Sequence, residues 1–130
     1  MNSIKRILVV EDDHLLQNLY GTKFADEGYE VETAGNGMEG YQKAKVWLPD
    51  LIILDILMPK LDGYGMLRLM RNDAKTKALP VMLLTNTPSL PSAREAKDLG
   101  VVKGLFKVEV TPSALIQIVK EYFKGRSTQD

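Results

Sequence analysis

Three kinds of side chain in this sequence could act together. Carboxylates gather at Glu11-Asp12-Asp13 and again at Asp55, Thr85 offers a hydroxyl, and Lys107 offers an ammonium. Each closes a short apolar run. Ile7-Leu8-Val9-Val10 leads to Glu11, Leu51-Ile52-Ile53-Leu54 to Asp55, Val81-Met82-Leu83-Leu84 to Thr85, and Val101-Val102 through Leu105-Phe106 to Lys107. If these runs are parallel strands, their carboxyl ends share one sheet edge, where open α/β sheets keep their chemistry. Crowded carboxylates raise each other's pKa unless a cation joins them. A set of hard oxygen donors suits Mg²⁺. Beside such an ion Asp55 is the natural nucleophile, because carboxylates form acyl phosphates. Lys107 and Thr85 would hold phosphoryl oxygens. Asp13 reads as a helix cap beside this group.

The elements that position these residues follow from periodicity. Three of the apolar runs are continuous, as in strands buried on both faces of a parallel sheet. Val31 with Thr33 alternates, so this second strand belongs at an edge. Helical spacing fills the gaps. Leu15, Leu16, Leu19, Tyr20 and Phe24 form one stripe, capped by Asp12 or Asp13 and closed at Gly28. Met38, Tyr41 and Ala44 mark a second helix, and Tyr64, Leu67 and Met70 or Leu69 a third. Ala93, Ala96 and Leu99 suggest a short fourth, ended by Gly100. Leu115, Ile118, Val119 and Tyr122 mark a fifth, entered through a Thr111 cap and Pro112. A strand followed by a helix, five times over, predicts an α/β, doubly wound sheet with right-handed crossovers. Between Asp55 and the third helix, Pro59 fixes a turn and Gly63 permits positive φ. That loop would hold the backbone around Leu57 close to a metal.

Composition narrows the function classes. The 130 residues suit one domain, and 45% apolar content is ordinary for a globular chain. Seventeen basic and seventeen acidic side chains give no net charge, which argues against an extended duplex-binding surface. Without Cys there are no disulfides, thiolate catalysis or cysteine-ligated metals. No apolar run approaches the roughly 18 residues of a membrane span. The start is too short in apolar residues for a signal core. A cytoplasmic location and no membrane insertion are the expectations. His14 reads as a surface residue, and Trp47 and the Met residues as packing groups. Lys43, Lys45, Lys75, Lys77, Lys97 and Lys103 read as solvated. There is no phosphate-cradling Gly-rich loop and no helix-turn-helix, so direct nucleic-acid binding is not expected.

From about Lys5 to Phe123 the sequence resembles the receiver domain of bacterial two-component response regulators, of the chemotaxis-regulator kind. The strings that carry the resemblance are Ile7 to Asp13, Pro49-Asp50 through Asp55-Ile56-Leu57-Met58-Pro59 with Asp62-Gly63, then Thr85 and Lys107. Gly28-Tyr29-Glu30-Val31 and Ala34 with Gly37 follow the same wording. The resemblance implies a flavodoxin-like (βα)5 sandwich with strand order 2-1-3-4-5. It implies a receiver domain over residues 1–124 and a tail or linker start over 125–130. It implies a phosphoacceptor switch, not a turnover enzyme. A sensor histidine kinase or histidine phosphotransfer protein would supply the phosphoryl group to Asp55. Mg²⁺ would be held by Asp12, Asp55 and the Leu57 carbonyl, with Glu11 acting through metal-bound water. Lys107 would pair with the phosphoryl group and Thr85 would hydrogen-bond it. The surface of the fourth helix, fifth strand and fifth helix would then change for an output protein, a linked domain or a second copy in a homodimer.

Several positions depart from the family pattern. Asn86 follows Thr85 where a small residue is usual, and Gly104 stands where an aromatic side chain often moves. Phe106, two residues on, points to the same face and would partly substitute. Val108 follows Lys107 where a cis Pro is usual, so a trans bond and an altered loop are expected. Pro88 and Pro91, with Ser89 and Ser92, interrupt the start of the fourth helix, and Ser92 would cap a shortened one. Leu57 and Thr87 occupy positions that tune acyl-phosphate lifetime in the family. An apolar Leu57 predicts slow self-dephosphorylation. Two other readings remain: an interaction domain independent of phosphorylation, and a Mg²⁺-dependent phosphotransferase or phosphatase on small molecules. The second of these lacks an evident substrate pocket.

Overall fold

The computed structural model describes residues 3–86 and 93–127. Its strands are β1 (Arg6–Val10), β2 (Glu30–Ala34), β3 (Leu51–Leu54), β4 (Val81–Thr85) and β5 (Val101–Phe106). Its helices are α1 (His14–Asp26), α2 (Gly37–Trp47), α3 (Gly63–Arg71), α4 (Ala93–Asp98) and α5 (Pro112–Ser127). The strands form one sheet in the order β2-β1-β3-β4-β5, and every pairing is parallel. The expected doubly wound (βα)5 architecture is therefore what the chain adopts. No helix among the described residues is long and apolar enough to cross a membrane.

Alternation along the central strands divides the core in two. Leu8, Val10, Ile52, Leu54, Val81 and Leu83 face α2 and α3, packing on Ala44, Met66, Leu67 and Met70. Ile7, Val9, Leu51, Ile53, Met82 and Leu84 face α1 and α5, packing on Tyr20, Phe24, Leu115 and Val119. Both faces are covered, which is why these runs read as continuous. Each large side chain removed from water contributes about 1.5–3 kcal/mol, so the sheet is a rigid platform for whatever stands at its edge. β2 is the expected edge strand, with only Ala34 fully buried.

Some side chains lie elsewhere than their spacing predicts. Leu15 is 82% exposed and Leu19 39%, so they flank the buried face of α1. The inward row repeats every four residues through Leu16, Tyr20 and Phe24, one row around the helix. Met38 is exposed as well, because α2 packs through Gly40 and Ala44. Lys43 is no free surface cation: it donates to the Thr33 carbonyl at 2.5 Å and pairs with Glu39. Lys45 pairs with Asp73 and lies 5.1 Å from the Tyr41 ring centroid. α5 continues through Ser127, past the point where a tail was expected to begin. Its start matches expectation, with the Thr111 hydroxyl accepting the Ala114 N–H at 3.0 Å. β5 carries an irregularity the sequence hides: Val81 pairs with Val101 but Met82 with Lys103, a bulge at Val102. Thr87, Pro88, Ser89, Pro91 and Ser92 lie outside the described residues.

A polar tie joins α2 to the turn after α3. The Tyr41 hydroxyl donates to Asp73 at 2.6 Å, and this bond, more than the nearby lysines, holds the Asp73 carboxyl below its ordinary range. A lowered folded-state pKa adds stability above the unfolded value, and that stability is lost as pH falls through the folded value. Tyr41→Phe is therefore expected to lower the melting temperature at neutral pH and to flatten its decline in acid. Thermal unfolding from pH about 2 to 7 would test this, and parallel curves for the two proteins would refute it.

Candidate functional site

The carboxyl edge of the sheet brings the predicted residues together. Glu11 and Asp55 follow β1 and β3 directly, and the backbone pins them side by side. The Asp55 N–H donates to the Val10 carbonyl at 3.0 Å, and the Glu11 N–H to the Ala34 carbonyl at 2.9 Å. Lys107 opens a short 3-10 turn, Lys107–Glu109, immediately after β5. Its Nζ donates to Asp55 Oδ2 at 2.9 Å and also to Glu11 Oε1. No described peptide bond is cis, so the ammonium reaches across the sheet edge with Val108 in the ordinary trans form. Asp12 stands exposed beside them, and carboxylate oxygens of Glu11, Asp12 and Asp55 lie within 4.8 Å of one another. Asp13 caps α1, accepting the N–H groups of Leu15 at 2.9 Å and Leu16 at 3.1 Å. His14 is exposed as the first residue of α1.

Burial sets the electrostatics. Glu11 is 3% and Asp55 6% exposed. Burial pushes the Glu11 carboxyl above its ordinary value, against the opposing pull of Lys107 and the Asp13 N–H. Burial also works to lower the Lys107 pKa, but its bonds to Glu11 and Asp55 outweigh that and hold the ammonium charged. Three carboxylates against one ammonium leave an excess of negative charge when all are ionised. Oxygen donors with that imbalance fit a small hard divalent cation such as Mg²⁺.

The loop after β3 closes the site by a different device than the one its sequence suggests. Gly63 does not need positive φ; among the described residues Gly28, Gly100, Leu48 and Lys60 adopt it. Gly63 is instead a point of close approach. A Cβ there would stand 2.5 Å from the Asp55 carbonyl oxygen and 2.8 Å from Ile56 Cα. Its N–H donates to the Ile56 carbonyl at 2.8 Å, while Asp62 caps α3 by accepting the Gly65 N–H. The Leu57 side chain is 61% exposed on this loop.

Thr85 is fully buried as the last residue of β4, in register with Phe106. Gly104 pairs with Leu83, so Gly104, Phe106 and Thr85 share the α3 side of the sheet. Phe106 is half-buried there, and Asn86 is exposed. Two neighbours of the site escaped sequence reasoning. The Gln17 side chain donates to the carbonyls of Glu11 at 2.6 Å and Ala34 at 3.1 Å, fixing the end of β1 to β2. Buried Tyr20 lies close enough to feel the charges of Lys107, Glu11 and Asp55, although burial is the main reason its hydroxyl pKa is raised. Gln17 lies one helical turn past the Asp13 cap, and that offset is the signal that could have found it.

Known proteins share this fold. The family described as the response regulator receiver domain matches residues 7–120. The chain is 34% identical over 95 residues to a DNA-binding dual master transcriptional regulator RpaA from Synechocystis, covering 73% of this chain and 39% of that protein. It is 41% identical over 80 residues to the response regulator PleD of Caulobacter vibrioides, covering 62% of this chain and 18% of that protein. Among solved structures, a CheY-like receiver domain protein from Methanospirillum hungatei superposes with a TM-score of 0.86 at 26% identity, covering 98% of this chain and all of the other. The chemotaxis response regulator CheY4 of Vibrio cholerae gives 0.80 at 29% identity, covering 92% of this chain and 98% of the other. The chain thus spans less than half the length of these two curated relatives and the full length of the first structural one.

Proposed function

The chain belongs to the response regulator receiver domain family, and we propose that it works as a phosphoacceptor switch with Asp55 as the acceptor. The observation that carries this reading is the Lys107 ammonium at 2.9 Å from a buried Asp55 carboxylate. An Asp55 oxygen attacks the phosphorus of a phosphohistidine on a sensor kinase or phosphotransfer protein. The new P–O bond forms as the P–N bond breaks, and the His imidazole leaves with the electron pair and takes up a proton. Lys107 moves its bond from the carboxylate to the incoming phosphoryl oxygens, and the Thr85 hydroxyl donates to another. Glu11, Asp12, Asp55 and the Leu57 carbonyl would hold Mg²⁺, with Glu11 acting through bound water. Bound Mg²⁺ supplies positive charge against the phosphoryl oxygens. Added negative charge with strong acceptor oxygens then draws Thr85 inward and alters the surface of α4, β5 and α5. That surface would meet an output protein, a linked domain or a second copy, without direct contact to nucleic acid. The reading places the protein in the cytoplasm and gives it self-phosphorylating and self-dephosphorylating chemistry without turnover on a separate substrate.

A second reading rests on Gly104, which leaves its own position in β5 without the aromatic side chain that would follow Thr85 and only Phe106 on that face. On that reading the domain binds its partner whether or not Asp55 is modified. Intact-protein mass after incubation with acetyl phosphate tests the first reading. One added phosphoryl group with Mg²⁺, and none without it, is expected. No gain with either acetyl phosphate or a phosphorylated kinase would leave the second.

The exposed apolar side chain of Leu57 offers no hydrogen bond to an attacking water. Leu57→Asn is expected to speed phosphoryl loss by about two- to tenfold, the scale of one added hydrogen bond. The decay of the phosphorylated mass with time measures it, and an unchanged rate would count against this role.

A further inference from the structure

The opposite edge of the sheet carries a second concentration of charge, of opposite sign. A cavity of about 300 Å³ opens below the starts of β4 and β5, against the last turns of α5. Arg71, Lys77 and Arg126 line it, together with the apolar surfaces of Pro80, Val102 and Tyr122, and no carboxylate among the described residues does. The bulge in β5 helps to form it by setting Val102 outward, 46% exposed.

Arg71 is the unusual member. Its guanidinium is half-buried and, among the described residues, donates only to backbone carbonyls: Leu99 at 2.6 Å, Lys77 at 3.1 Å, Thr76 at 3.2 Å and Gly100 at 3.3 Å. These bonds tie the end of α3 to the turn before β5, and that structural role accounts for its geometry. It does not account for the charge. No carboxylate among the described residues pairs with Arg71, and burial alone lowers its pKa. A cation desolvated without a counter-charge makes the cavity attractive to anions. Arg126 stacks its guanidinium 5.4 Å from the Tyr122 ring centroid, and Lys77 is exposed at the rim. Arg71 has spent most of its N–H groups on carbonyls, so it contributes mainly field. The Arg126 and Lys77 side chains donate to no described residue, so their donors face the cavity.

We propose that this cavity binds a phosphate monoester carried on a small apolar or aromatic body. The phosphate would face Arg126 and Lys77 within the field of Arg71, and the organic body would lie on Tyr122, Val102 and Pro80. A dianion suits a site with three cations better than a single carboxylate, and the apolar wall separates an ester from free phosphate. The site is independent of Asp55, at the other end of the strands.

The test is a titration of isotope-labelled protein with adenosine monophosphate in the absence of Mg²⁺, followed by backbone amide shifts, with adenosine and inorganic phosphate in parallel. Saturable shifts are expected at Lys77, Ala78, Leu79, Gly100 and Val102, and not at Asp55 or Lys107. Adenosine should not bind, and inorganic phosphate should bind more weakly than the ester. Arg126→Ala should weaken binding about tenfold and Lys77→Ala about threefold, the scales of a charge-assisted bond and an exposed charge. Both side chains are exposed, so both variants should fold. Shifts that do not saturate, shifts gathered at the Asp55 edge, or unchanged affinity in both variants would overturn the proposal. Equal affinity for inorganic phosphate would overturn the role of the apolar wall.

Discussion

Asp55→Ala is expected to gain no phosphoryl mass from acetyl phosphate and Mg²⁺ under conditions where the unaltered protein gains one group. The loss should be complete, because no neighbouring carboxylate has the same setting. Glu11 is held by both Lys107 and the Asp13 N–H, and burial raises its pKa, which works against it as an anionic nucleophile. Asp12 is exposed, while Lys107 pairs with Glu11 and Asp55. Asp12→Ala is instead expected to slow the gain by about 10- to 100-fold through loss of a proposed Mg²⁺ ligand, a scale typical of ligand-shell changes. Asp55→Asn is the matched control for folding, since it keeps the shape while an amide cannot form the acyl phosphate. Thermal unfolding of both Asp55 variants should report intact domains. A phosphoryl gain surviving in Asp55→Asn, mapped by peptide mass to Asp12 or Asp13, would overturn the assignment of the acceptor.

The gathering of Glu11, Asp12, Asp55 and Lys107 was legible in the sequence because strand ends are legible. Leu51 to Leu54 and Ile7 to Val10 are buried on both faces, so each run is continuous and its carboxyl end is sharply marked by an acidic residue. Parallel topology does the rest by putting those ends on one edge. Lys107 is nearly as clear, despite Val108, because its position follows from the end of β5. What the sequence concealed depends on contacts between elements. The spacing of Leu15 and Leu19 matches that of Tyr20 and Phe24, and only the angle at which α1 meets the sheet separates outer row from inner. Gly63 is legible as a glycine, but its reason, the nearby Asp55 carbonyl, requires the loop to have folded back. The bulge at Val102 has no turn residue to announce it. Arg71 reads as one more basic residue on a helix until four carbonyls from two turns converge on it.

Lys107→Met is expected to move two properties in opposite directions. The ammonium occupies the same carboxylates that would hold Mg²⁺, and it repels that ion. A single and a double charge about 5 Å apart repel by roughly 2 kcal/mol even at the dielectric constant of water, and by more inside a protein. Removing the ammonium should therefore tighten Mg²⁺ binding by about tenfold or more, measured by calorimetry. Phosphoryl transfer should fall by about a hundredfold, because the cation facing the developing phosphoryl charge is gone. The metal-free variant should also be less stable at neutral pH, since Glu11 and Asp55 are left buried without their partner, a change on the order of 3–5 kcal/mol. Its pH dependence has a definite sign. The Glu11 pKa, already raised by burial, loses the opposing pull of Lys107 and rises further. A raised carboxyl pKa means the folded state holds its proton more tightly, so the variant loses stability as pH rises through that interval and regains it on acidification. Added Mg²⁺ should restore much of the lost stability at neutral pH by mass action on the folded form. Weaker Mg²⁺ binding in Lys107→Met would show that the ammonium organises the carboxylates instead of competing for them. Phosphoryl transfer at the original rate would remove Lys107 from the chemistry altogether.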